Sequence, residues 1–134
     1  LASAIGRLAC LRRTNVLFES AAAIVNNLTE ARSKDMLKTA MRRYEKPQLL
    51  IIDELGYLPV DRIGAELLFQ VLGNRYEKAS TVITTNRSYK EWTKTFANDA
   101  VMTSAVLDRI LHHCETVIIE GQSYRMKDRI EAEN

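Results

Sequence analysis

The sequence predicts an α/β fold: a mostly parallel sheet with helices on both faces. Three observations carry this. Leu49-Leu50-Ile51-Ile52 is a continuous aliphatic run without two-fold alternation, the mark of a strand covered on both sides. Strand-like runs alternate with amphipathic helical stretches along the whole chain, the order expected of parallel strands joined by helical crossovers. Finally, 134 residues, 46% hydrophobic and 27% charged, make one domain large enough to bury a core.

Each element has its own signal. Residues 2–13 read as a helix, with Ala2, Ile5, Leu8 and Ala9 on an apolar side and Arg7, Arg12 and Arg13 toward water. Residues 15–18 are a short strand. Ser20 caps a helix over 21–31, and Ser33 is read as the cap of another over 34–44 that places Leu37, Ala40 and Met41 inward. Pro47 stops that helix, and the aliphatic strand follows. Asp61 caps a helix over 62–77 that carries Leu67, Leu68, Val71 and Leu72. The β-branched run 80–85 is a strand ending at Asn86. Ser88 begins a short helix with Trp92 and Phe96. After a loop at Asn98-Asp99 comes a helix over 100–112, then a last strand at 116–120 ended by Gly121, and a charged surface helix from 122 onward.

Net charge is +2 but uneven: residues 1–46 carry nine Lys/Arg against four Asp/Glu, and residues 47–120 carry seven against ten. The basic surface from Lys34 to Lys46, with Lys38, Arg42 and Arg43, is suited to contacting nucleic-acid phosphates without reading sequence; a solvated helix face is the blander reading. Cys10 and Cys114 lie far apart in apolar settings without metal spacing, and are expected to be buried free thiols of a cytoplasmic protein. No apolar run reaches membrane-spanning length and no signal peptide is visible. The chain opens at Leu1 with a helical pattern under way, and reads as cut from something longer.

Chemistry concentrates at strand ends. Asp53 and Glu54 follow the aliphatic strand at its carboxyl edge, where open α/β sheets place ligands. An acid there can hold Mg²⁺, usually through water, while its neighbour orients a water for attack on a γ-phosphate. Asn86 can donate to a phosphate or position that water, although Asn also suits a strand end for local reasons. Thr84 and Thr85 offer hydroxyls that sheet packing explains equally well. Arg109, next to Asp108 in a helix, is either a surface ion pair or a phosphate-reaching arginine finger. Arg125 is a weaker phosphate candidate. His112 and His113 invite a metal reading, but adjacent helix residues do not face each other and no third ligand stands at useful spacing; structural or surface histidines are expected. Trp92, Phe96, Tyr57 and Tyr89 are expected to pack rather than stack on bases.

Five blocks in order carry a specific resemblance: LLIIDELGYLP at 49–59, GAELLFQVLGNRYE at 64–77, STVITTN at 80–86, LDRILHH at 107–113 and VIIEGQSYRMKDR at 117–129. Together they resemble the ATP-binding transposition helper proteins of bacterial insertion sequences, AAA+ ATPases similar to the bacterial replicative helicase loader. The resemblance implies a three-layer α-β-α P-loop NTPase fold. Asp53 matches the Walker B metal-coordinating acid, Glu54 the water-activating acid, Asn86 the sensor-1 residue and Arg109 the arginine finger that completes a neighbour's site. Arg125 is a looser match to a later phosphate-sensing arginine. The resemblance further implies ATP and Mg²⁺ as cofactors, double-stranded DNA and a transposase as partners, and a homo-oligomer.

One departure is large. Family members carry a glycine-rich loop ending in GKT or GKS before the helix that here starts near Leu1, and no GxxxxGK[ST] occurs in these 134 residues. The first strand of the fold, central in the sheet between the strands at 80–85 and 116–120, is missing with it. The whole chain 1–134 is thus expected to be the portion of an AAA+ domain that follows the Walker A loop. ATP-dependent transposition help is the function implied for the family. A non-catalytic remnant that binds DNA or transposase, and a helicase-loader-like ATPase in replication, are the alternatives.

Overall fold

The computed structural model describes residues 1–121. Its sheet has three parallel strands in the order β1-β2-β3: β1 is Val16–Ser20, β2 Leu49–Asp53 and β3 Ser80–Ile83. Val16 pairs with Leu49 and Leu49 with Ser80, so the three strands start level and their carboxyl ends form one edge.

Helices cover both faces, as the aliphatic run required. Side chains alternate along β2, and Leu50 and Ile52 enter the main core with Ile24 and Leu28 of α2 (Ala21–Ser33) and with Leu68 and Val71 of α4 (Arg62–Arg75). Ile51 points the other way, under α1 (Ala2–Leu11). The contact there is made by Gly6, because a Cβ at that position would stand 2.9 Å from Ile51 Cδ1. This corrects the apolar side read for α1. Its point of burial is Gly6, which lets the helix backbone come close, while Ile5 and Leu8 remain exposed, Leu8 at 61%.

The caps sort into hits and one miss. Ser20 Oγ accepts from the Ala23 N–H at 3.2 Å, and Asp61 Oδ1 from the Gly64 N–H at 2.7 Å. Asp99 opens α6 (Ala100–Leu111) by accepting from the Met102 N–H. Ser33 does not cap the next helix. It ends α2, its hydroxyl donating to the Glu30 carbonyl at 2.7 Å, and α3 starts only at Leu37 and runs to Glu45. A short 3₁₀ turn over Tyr89–Glu91 leads into α5 (Trp92–Thr95). Trp92 and Phe96 are buried core residues, as expected for packing aromatics.

Two further expectations fail. Residues 116–120 form no strand, and Val117, Ile118 and Ile119 are exposed, Ile118 at 80%. In the resembled sheet this segment lies two strand spacings, about 10 Å, from β3, and no described strand fills the interval to supply its hydrogen bonds. Cys10 and Cys114 are free but exposed, because Cys10 sits on the uncovered side of α1 and Cys114 in the unpaired segment after α6. Among the described residues no helix is long and apolar enough to cross a membrane. The surface helix read from residue 122, and Arg125 within it, lie outside the described residues.

Candidate functional site

At the carboxyl edge of the sheet the chain turns sharply out of β2. Asp53 is the last residue of the strand and half-buried; Glu54 is exposed, with φ of 58°, in the left-handed region that L-residues other than Asn and Asp seldom enter. Three bonds to Thr84, just past β3, hold this turn. The Thr84 hydroxyl donates to Asp53 Oδ1 at 2.5 Å, the Glu54 N–H donates to Thr84 Oγ1 at 2.9 Å, and the Leu55 N–H donates to the Thr84 carbonyl at 2.9 Å. One residue of β3's extension therefore orients both acids: it fixes the Asp53 carboxylate and turns Glu54 outward.

The turn is buttressed from the next loop. The Arg87 guanidinium donates to the Gly56 carbonyl at 3.3 Å and pairs with Glu91 at 3.2 Å. Glu91 in turn accepts from the Ser88 N–H and hydroxyl, each at 3.0 Å. These bonds hold the Glu91 carboxyl below the usual range, those from Ser88 first. Asn86 lies between Thr85 and Arg87 on the same loop, exposed. The structure thus brings Asp53, Glu54, Thr84 and the Asn86 loop to one edge.

Arg109 is elsewhere. Its guanidinium carbon stands 4.1 Å over the Phe69 ring, and its Nη1 would lie 2.3 Å from a Cβ at Gly73. Gly73 lies roughly 16 Å beyond Arg62 at 1.5 Å rise per residue, toward the end of α4 that leads into the amino end of β3. Arg109 therefore packs near the far end of α4 from Asp53 of its own chain. Neither Phe69 nor Gly73 was singled out from the sequence, because a shallow pocket for a cation on a helix has no local pattern.

His112 and His113 are exposed surface residues, one of the two outcomes expected of them, but their surroundings differ from those the spacing suggested. α6 ends at Leu111, so His112 and His113 are not held on a regular helix, and their ring centroids are 4.2 Å apart. Glu77, 35 residues earlier than His112, stands beside them and supplies the third group the local spacing lacked.

Buried Arg75, near the end of α4, serves the fold. Its guanidinium donates to the carbonyls of Tyr44, Glu45, Pro47 and Ser80 and to the Thr81 hydroxyl. It ties α3, the entry to β2 and the start of β3 together at the sheet edge opposite the acids.

The donor set at the acid edge fits Mg²⁺ on its own terms: a strand-end carboxylate, a neighbouring exposed carboxylate and a hydroxyl are all hard oxygens. The phosphate-cradling half has no counterpart, since no glycine-rich loop of the GxxxxGK[ST] kind occurs in the sequence. A parallel sheet flanked by helices, with paired acids at the carboxyl end of a buried strand and polar residues in the loop that follows the next, is an α/β architecture of the P-loop NTPase class.

Within that class, the chain belongs to the family of IstB-like ATP binding proteins, whose model matches residues 1–132. It is 45% identical over 134 residues to an insertion sequence IS232 putative ATP-binding protein of Bacillus thuringiensis subsp. berliner, covering 100% of this chain and 53% of that one. It is 39% identical over 132 residues to the IS21 putative ATP-binding protein of Pseudomonas aeruginosa, covering 98% and 49%. The chain thus spans about half the length of these relatives. Among solved structures it resembles AMPPCP-bound DnaA from Aquifex aeolicus, with a TM-score of 0.67, 18% identity, and 81% of this chain and 34% of that one covered. It also resembles the DnaC helicase loader, with a TM-score of 0.53, 13% identity, and 71% and 57% covered. At these identities the two likenesses speak for the fold.

Proposed function

We propose that this chain supplies the metal- and water-positioning half of the ATP site of a transposition helper, which acts with a transposase on double-stranded DNA. The observation that carries the reading is the Asp53–Thr84–Glu54 arrangement at the carboxyl edge of β2. Asp53, held by Thr84, is the residue to take Mg²⁺; the ion would neutralise charge on the β- and γ-phosphates. Glu54, turned outward, is placed to accept a proton from an attacking water. Asn86 is placed to donate its carboxamide to the γ-phosphate or that water. Arg109, distant from its own acids, is the arginine finger for a neighbouring subunit in a homo-oligomer, and Arg125 a further phosphate contact. The 1–134 segment is on this reading the part of an AAA+ domain after the phosphate loop, working in the cytoplasm.

Nucleotide affinity tests the reading. A version extended upstream by a strand and phosphate loop should bind ATP–Mg²⁺ far more tightly than residues 1–134. Glu54→Gln in the extended version should abolish hydrolysis and keep binding. Equal nucleotide affinity with and without the extension would sink the division into two halves.

A second reading is favoured by the exposed basic face of α3. Lys38, Arg42 and Lys46 are exposed and make no ion pair among the described residues, whereas Arg43 is taken up by Glu19 at 3.2 Å. A DNA- or transposase-binding module without catalysis would use this face. It predicts salt-dependent, sequence-tolerant binding of duplex DNA by residues 1–134 alone, lost in Lys38→Glu/Arg42→Glu. A helicase-loader-like role in replication shares the ATP chemistry and differs in its partner; pull-down against transposase and replicative helicase separates the two.

A further inference from the structure

We propose that Glu77, His112 and His113 form a binding site for a divalent transition metal of the zinc type, one that clips the end of α6 to the turn after α4. The inference is independent of the nucleotide reading.

The three ligand atoms lie within 4.8 Å of one another. His113 Nε2 is already 2.8 Å from Glu77 Oε1. Tetrahedral zinc, with bonds of about 2.0–2.1 Å, needs ligand atoms roughly 3.3 Å apart. All three side chains are exposed, so small rotations close the gap without disturbing the core. Two imidazole nitrogens and one carboxylate oxygen are a donor set that zinc, cobalt and nickel accept, and that magnesium, which prefers oxygen, does not.

Two surrounding features orient the ligands. Tyr76 OH is hydrogen-bonded to His112 Nδ1, the outer partner that metal-bound imidazoles ordinarily have, and among the described residues Nε2 of that ring makes no hydrogen bond. Glu77 adopts φ of 57°, a conformation in which Gly or Asn would be less strained. The backbone thus spends strain at the residue that carries the carboxylate. Tyr76 also stacks near both imidazoles, at centroid distances of 6.2 and 6.1 Å. Three protein ligands leave a fourth position for water or a group from a partner. Since Arg109 lies on α6 one turn before His112, a bound ion would hold the helix that carries it.

The test uses the full chain with Cys10→Ser and Cys114→Ser, because both thiols are exposed and take the same metals. Calorimetric titration with Zn²⁺ should show saturable binding of one ion per chain. Histidine imidazole NMR should show both rings shifting together, and the sequence has two histidines, so the assignment is unambiguous. His112→Ala/His113→Ala should abolish the binding, and Tyr76→Phe should weaken it by about tenfold with circular dichroism unchanged. Imidazole resonances that ignore the metal, or equal affinity in the double-histidine variant, would overturn the proposal.

Discussion

Thr84 donates its hydroxyl hydrogen to Asp53 across the gap between β3 and β2, and the same oxygen accepts the Glu54 N–H. A single β-branched side chain thereby couples two strands at the point where the acids leave the sheet. Thr84→Val keeps the shape and removes both bonds. We expect it to lower stability by about 1–2 kcal/mol in chemical denaturation, with Thr84→Ser recovering most of the loss. A Val variant as stable as the parent would mean that water replaces the hydroxyl at no cost.

Gly73 makes room for Arg109. A methyl group there would stand 2.3 Å from Nη1, but the clash is with the end of a flexible side chain, so the guanidinium can leave. Gly73→Ala also gains helix propensity of about 1 kcal/mol, which offsets a lost cation–π contact of about 0.5–1 kcal/mol. Net stability should therefore change by less than about 1 kcal/mol. The Arg109 Nε–H resonance should nonetheless lose the shift imposed by the Phe69 ring. An unmoved resonance would show that the arginine tolerates the methyl in place.

Arg75 is 2% exposed, and its guanidinium donates to the carbonyls of Tyr44, Pro47 and Ser80, the first two in buried hydrogen bonds. Arg75→Leu removes a charged donor and strands several buried acceptors. The expected loss is about 3–4 kcal/mol in urea or guanidinium denaturation, with Arg75→Lys recovering little because an ammonium cannot span the same fork. A loss below 1 kcal/mol would place the acceptors in contact with water.

Tyr44 is fully buried and its hydroxyl accepts from Asn27 Nδ2 at 3.1 Å. Burial raises its phenol above the ordinary 10.0, helped by Glu19 and opposed by the Asn27 bond. A raised folded-state value means that stability is fully present below 10.0 and is lost as pH rises from there through the folded value. Tyr44→Phe should accordingly flatten the fall of unfolding free energy above pH 10.0, whatever its effect at neutrality. Parallel alkaline slopes for the two proteins would contradict this.

What the chain could announce by itself was local or periodic. The unbroken aliphatic run at 49–52 set β2 as a strand buried on both faces, since each of its side chains must find apolar cover. Ser20 and Asp61 announced their helices because a cap acts over three residues. Asp53 and Glu54 were legible as the end of a strand for the same reason, since a strand end can be read from the pattern that precedes it. The next strand stops at Ile83, short of the 80–85 read for it, so Asn86 lies in the loop beyond rather than at its end. What tertiary structure decided was everything that joins distant residues. It chose Thr84 as the partner of both acids, set Arg109 over Phe69 and Gly73, and brought Glu77 to His112 and His113. It also withheld a strand at 116–120, despite its β-branched sequence, because a strand is a property of a pair and no described neighbour is there to hydrogen-bond with it. Propensity belongs to a segment, whereas a ladder, a buried arginine or a three-residue donor set exists only when the fold closes the distance.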